Sequence, residues 1–134
     1  MILTYQIAQQ IIKNILTELE RRKVHAAIAV SDSHGELMAF LRMEEVKLHS
    51  ITIATNKAWT AARTKKATSE LGKAIKDPTK GFDISFYGDP KYTGFGGGVP
   101  IFHEGKVIGA VAVSGLTQEE DEEVALIGIE SIIL

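Results

Sequence analysis

Two cations stand where a charge needs a partner. Arg42 closes the apolar run of residues 37–41, and Lys57 lies among Ala54, Ala58 and Ala61. A lysine in a small-residue helix must snorkel to water or meet an anion. An arginine at a strand end can hold a carboxylate through two parallel hydrogen bonds. Arg42 and Lys57 are therefore read as carboxylate binders, against the plainer alternative of two solvated cations. The four histidines, His25, His34, His49 and His103, have neither the His-x-x-x-His nor the His-Glu-x-x-His spacing of a zinc site. Any one of them suits a haem iron, which needs one or two axial donors and accepts His or Met. Ser114 ends a strand-like run without the Gly-x-Ser-x-Gly elbow of a nucleophile, so it reads as a turn serine.

Two further segments invite chemistry. Gly94-Phe95-Gly96-Gly97-Gly98 looks like a phosphate loop, but a phosphate cradle opens a helix and these glycines precede the strand-like Val99-Pro100-Ile101. Close backbone approach, to a ligand or to another chain, explains them better. Glu119-Glu120-Asp121-Glu122-Glu123 falls in the first turns of a helix, where acids complement the positive helix end. Residues 77–98 hold five of the nine aromatics and six of the twelve glycines, without clear periodicity. A loop so long and so biased is uncommon in a compact domain unless it has a function. It either lines a pocket for a flat ligand or packs on a partner subunit.

The elements that must carry these residues follow from periodicity. Ile7, Ala8, Ile11, Ile12, Ile15, Leu16 and Leu19 recur at helical spacing behind Thr4 as N-cap, with cations at residues 21–23. Residues 26–30 and 37–41 are apolar runs around a turn-rich segment, a β-hairpin. A second hairpin runs from Val99 to His103 and from Lys106 to Val113, with Gly105 supplying the positive φ of a tight turn. Between them come a small-residue helix over 50–64 and a shorter one, capped by Thr68 or Ser69, reaching Lys76 before Asp77-Pro78. The last helix opens on Thr117-Gln118-Glu119-Glu120, a capping-box spacing, and runs through Ile132 and Ile133. Tight hairpins imply antiparallel pairing. The expected fold is therefore α+β, in the order α-β-β-α-α-β-β-(β)-α, with four to five strands flanked by helices.

Composition narrows the class. The 134 residues suit one domain, 1–134, and 45% hydrophobic with 24% charged residues is ordinary for a globular protein. A formal charge of −2 gives no basic excess for nucleic acid, and the absence of cysteine excludes disulfides, thiolate metal sites and cysteine nucleophiles. No basic n-region or cleavage site precedes the first helix, and no run of about 18 apolar residues spans a bilayer. The expectation is a cytoplasmic protein with no membrane or nucleic-acid partner.

The ordered motifs carry a resemblance over almost the whole chain. Leu3-Thr4 opens the first helix, and Ala29-Val30-Ser31-Asp32 with Gly35 forms the first hairpin. Then come Phe40-Leu41-Arg42-Met43-Glu44, and Ile51, Ala54, Lys57-Ala58 and Thr60-Ala61-Ala62. Gly97-Gly98-Val99-Pro100-Ile101 and Gly105-x-Val107-Ile108-Gly109-Ala110-Val111-x-Val113-Ser114-Gly115 follow, with Asp121-Glu122 and Ala125. In this set the chain resembles the GlcG/HbpS-like family, also named haem-degrading, which includes the C-terminal domain of PduO-type adenosyltransferases. It departs from the family in a more aromatic loop over 82–95 and in Glu44, where Asp is usual.

The resemblance implies a profilin-like sheet, homo-oligomers from dimers to octamers, and haem binding in some members. Others go with glycolate, glycerol or propanediol metabolism. Haem or another tetrapyrrole is thus the first ligand expected, held by an accessory protein. Phe86, Tyr87, Tyr92 and Phe95 would supply apolar surface, Gly97 and Gly98 close approach, and Arg42 and Lys57 the cations for propionates. His25, Met43 and His103 are the candidate iron ligands. Two alternatives stand beside it: a self-assembling scaffold whose subunit contact is Ile127-Gly128-Ile129, and an enzyme-assisting subunit for a small carboxylate or aldehyde with Lys57 as its working amine.

Overall fold

The structure is a computed structural model describing residues 2–132. Its elements run α1 (Tyr5–Arg22), β1 (Ala27–Asp32), β2 (Leu37–Arg42), α2 (His49–Thr64), α3 (Thr68–Ile75), a 3-10 turn (Ile84–Tyr87), β3 (Gly98–His103), β4 (Lys106–Ser114) and α4 (Gln118–Glu130). The four strands form one antiparallel sheet in the order β2-β1-β4-β3, the α+β architecture that the periodicities predict.

Side-chain alternation along the strands sorts the two faces. Ile28, Val30, Val111 and Val113 point to one side and meet Ile11, Ile15 and Leu19 of α1 and Val124 and Ala125 of α4. Ala27, Ala29 and Ala112 point to the other side and meet Ala54 and Ala58 of α2, while Ala61 and Ala62 pack with Ala110. Alanine facing alanine lets α2 lie close on the sheet, which is what its small residues are for. Thr4 caps α1 by accepting from the Ile7 amide, and Thr117 and Glu120 form the reciprocal box at the start of α4. Glu104 and Gly105 turn the second hairpin with φ of 50° and 78°, the left-handed pair a two-residue connection requires.

Two boundaries differ from expectation. The N-cap of α3 is Ala67, without a side-chain cap. Thr68 is the first helical residue, and its hydroxyl instead accepts from the Gly98 amide at 3.0 Å. The second hairpin has two strands, which gives the sheet four, within the four to five expected. α4 closes at Glu130, short of Ile132, and Ile133 lies outside the described residues. The segment following α3 holds only the 3-10 turn as regular structure.

Helices α1 and α4 are matched in shape and charge. Gly128 lets α4 settle on α1, since a Cβ there would lie 2.4 Å from Cγ1 of Ile15. Gly128 is thus a contact within the chain. Its replacement by Ala overpacks this seam and is expected to lower stability by about 1–3 kcal/mol, read as a lower urea midpoint; an unchanged midpoint would contradict the packing. At the far end of α1, Arg22 bonds Glu18 at 2.6 Å and Glu123 of α4 at 2.7 Å. Hydrogen bonds from Arg21 and Arg22 hold the Glu18 carboxyl at about 2, below its ordinary 4.5. Its contribution is therefore complete above pH 4.5 and is lost as pH falls toward 2. Glu18→Gln should flatten that part of the acid-stability curve, and an identical acid limb in the variant would count against the pairing.

Candidate functional site

Lys57 lies just off the alanine stripe of α2, so its side chain runs toward the end of β4 instead of out to water. Its side chain is 2% exposed, and an ammonium so placed needs a counter-charge. Nζ donates to the Val113 carbonyl and to Oδ2 of Asp121 in the first turn of α4, each at 3.0 Å. Oδ1 of Asp121 accepts from the Leu116 amide at 3.0 Å. Burial pushes the Lys57 amine down and the Asp121 carboxyl up, and their mutual attraction opposes both shifts. No buried side-chain polar atom among the described residues is left without a partner.

The glycine run owes its composition to this pair. Gly97 has φ of 129°, and a Cβ there would lie 2.7 Å from Lys57 Nζ and 2.8 Å from Asp121 Cβ. A Cβ on Gly98 would lie 2.5 Å from the Lys57 carbonyl oxygen. The close backbone approach predicted for these glycines is made to the chain itself. Gln118 completes the assembly by accepting from the Gly96 amide at 2.8 Å, which ties the loop to the start of α4.

Beside the pair, where β1 begins and β4 ends, opens a cavity of about 390 Å³. Lys57, Asp121, Ser114 and Gln118 lie along it, with His25, His49, Lys47 and Phe95 around the mouth. Nδ1 of His25 is 2.7 Å from the Glu44 carbonyl oxygen. A carbonyl only accepts, so this contact assigns the proton to Nδ1 and leaves the Nε2 lone pair free. The same contact fixes the ring, the device by which metal-binding imidazoles are commonly oriented. Glu45, next in the chain and itself in the cavity lining, has φ of 67°, a left-handed conformation at the turn that follows this carbonyl. Phe95 is 53% exposed and presents an aromatic ring at the rim. The cavity thus combines a free imidazole nitrogen, an aromatic face and polar groups, whereas the buried ammonium is already neutralised. Among the described residues no cluster of three or more His, Asp or Glu is placed to hold a metal ion.

The structure gathers only part of the site read from the sequence. Lys57 and Phe95 line the cavity, and Gly97 and Gly98 pack beneath the ion pair. Arg42 is exposed and stands in register with Ala27, two residues beyond His25, outside the cavity lining. Tyr92 meets Trp59 edge-on at 4.6 Å, Tyr87 meets Tyr92 at 4.9 Å and Phe82 stacks on Tyr87 at 5.4 Å. These rings pin the long loop to α2, helped by the Thr60 hydroxyl, which donates to the Lys91 carbonyl and accepts from the Thr93 amide. Phe86 is 81% exposed and not part of the lining. Met43 packs against the core, and His103 lies at the second hairpin, 3.7 Å from Glu104. Sequence reasoning read Asp121 only as a complement to the helix end and Gln118 only as part of a capping box, and it named His49 without singling it out. Lys57 was the available signal, because a lysine on an alanine face calls for an acid, and the acidic run at the start of α4 supplies one.

The family model described as haem degrading protein HbpS-like matches residues 3–130. The corrinoid adenosyltransferase PduO of Citrobacter freundii is 30% identical over 132 residues, 98% of this chain. The match takes in 39% of that protein, so the chain spans about two fifths of its length. Protein GlcG of Escherichia coli strain K12 is 35% identical over 113 residues, covering 84% of this chain and 81% of GlcG. Among solved structures, the crystal structure of a PduOC:heme complex superposes with a TM-score of 0.91 at 27% identity, over 98% of this chain and 96% of that one.

The buried pair makes a sharp energetic prediction. Lys57→Met leaves a carboxylate without its counter-ion, and Asp121→Leu leaves an ammonium in the same position. Each should lower unfolding free energy by about 3–5 kcal/mol, while the double variant loses much less than the sum. Strict additivity in urea unfolding would contradict a direct interaction.

Proposed function

The chain belongs to the haem-degrading, HbpS-like family, and on that premise we propose that it binds haem, or a related tetrapyrrole, at the cavity beside the Lys57–Asp121 pair. The observation that carries the reading is His25, a residue of the cavity lining whose Nδ1 is engaged by the Glu44 carbonyl, which leaves Nε2 as the nitrogen for a ligand. An imidazole held in this way suits an iron ligand. The other groups fit the same ligand: Phe95 offers a ring face for a macrocycle, and Lys47 a cation for a carboxylate. Haem, when bound, supplies a redox-active iron. The chain's own residues bind and orient it. Further support comes from the PduOC:heme complex, whose fold this chain shares.

In this reading Lys57 acts through the ion pair, which fixes the cavity floor and the glycine loop. Its Nζ is engaged by Val113 and Asp121, so a Schiff-base role is not carried forward. Arg42, at the same end of the sheet, remains the candidate for a propionate reaching beyond the mouth. The role is that of an accessory protein in small-molecule metabolism of the glycolate, glycerol or diol type, working in the cytoplasm as a homo-oligomer. Among the described residues no helix is long and apolar enough to cross a membrane.

Haemin titration followed at the Soret band tests the proposal. The wild type should saturate stoichiometrically at low micromolar haemin, His25→Ala should change the band position and weaken binding by about tenfold or more, and Met43→Ala and His103→Ala should titrate like wild type. A linear, non-saturating rise, or full binding by His25→Ala, would contradict it.

A further inference from the structure

Helix α4 is apolar around more of its circumference than one protomer uses. From Val124 to Ile129 it carries no polar side chain, yet only Val124, Ala125 and Gly128 of this stretch are buried. Leu126 is 45% exposed. A helix that is hydrophobic on all sides is ordinarily covered on all sides. Beside Leu126 and Ile129 lie Val99, Pro100 and Phe102 of β3, with Phe102 52% exposed. Together they line a groove of about 590 Å³, larger than the cavity at the sheet end and sharing no residue with it.

The groove offers a visitor side chains and not backbone. β3 is an edge strand, and edges invite strand addition. The Val113 amide bonds the Gly97 carbonyl, so in antiparallel alternation Gly98 and Pro100 turn their backbone groups away from β4. Thr68 already holds the outward amide of Gly98, and Pro100 has none to offer. The edge is closed to a fifth strand. At the rim stand Lys65 and Lys66, between α2 and α3, with Glu70 on α3 and Glu130 on α4. Among the described residues none of these four is in an ion pair.

We infer that this groove receives a second copy of the same chain across a two-fold axis, with Phe102 and Leu126 at the centre and the lysines of each copy facing the glutamates of the other. Two free charges of each sign around an apolar strip are self-complementary when rotated onto themselves. A partner of a single sign would be repelled by half of the rim. The inference rests on the self-association proposed above and assigns it a face. It leaves the cavity beside Lys57 open, so assembly and ligand binding are separable.

The test is the solution mass of the full chain at micromolar concentration, by light scattering and sedimentation, with haemin uptake measured in parallel. The wild type should form a dimer or a multiple of it. Leu126→Lys and Phe102→Lys should reduce the mass while keeping the helical spectrum and haemin uptake. Lys66→Glu and Glu130→Lys should each weaken assembly, and the two together should restore it. A monomeric wild type would overturn self-association and this face together. An assembly indifferent to Leu126→Lys and Phe102→Lys would overturn the face alone, as would failure of the charge exchange to restore it. Loss of haemin uptake at unchanged mass would show that the groove holds a ligand, which also overturns the inference.

Discussion

A single buried ion pair joins the parts of this molecule that bear on its function. Lys57 comes from the sheet-facing side of α2, Asp121 from the first turn of α4, and the shared carbonyl from Val113 at the end of β4. These helices lie on opposite faces of the sheet, so the pair bridges the two layers around the sheet's end. Such a pair is a poor source of net stability, because desolvating both charges offsets most of their attraction. What it supplies is position. Neither group can leave without stranding the other, and Gly97 and Gly98 are shaped to its outline.

The cavity is a consequence of that constraint. The Gly97–Gly98 backbone passes under Lys57, the Gly96 amide is tied to Gln118, and Phe95 is left at the rim. His25, elsewhere in the lining, meets the Glu44 carbonyl just ahead of the left-handed turn at Glu45. The lysine is neutralised, so the reactive inventory shifts from an amine to imidazoles. That shift favours binding of a metal-bearing, flat ligand over covalent chemistry at Lys57. It also separates the cavity from the apolar groove beside β3, which carries its own charges and its own exposed ring, Phe102.

Much of the scaffold is legible from local rules. Thr4, the 3.6-residue spacing of α1, the alanines of α2, Gly105 and the Thr117–Glu120 box each act within a few residues, and the structure agrees with all of them. What escaped depends on contacts distant in sequence. Asp121 is 64 residues from Lys57, and nothing in the run 119–123 marks which acid turns inward. Thr68 looked like a cap because caps are local, whereas its hydroxyl serves Gly98, 30 residues away. Tyr87 and Tyr92 read as ligand surface because aromatics in a glycine-rich loop look unpartnered; Trp59 of α2 is the partner of Tyr92, and Tyr92 in turn that of Tyr87. His25 stood out by donor type alone, and its orientation came from a backbone turn that no residue pattern announces.

The most direct test of the ligand site is to record backbone amide resonances of the isotopically labelled protein with and without haemin. The iron broadens resonances of nearby nuclei, so the loss of signal maps the contact residue by residue. Selective loss at His25, residues 45–50, Phe95 and residues 114–118 is the predicted result. Loss centred instead on residues 65–67, Phe102 and Leu126, with the cavity resonances intact, would contradict the account.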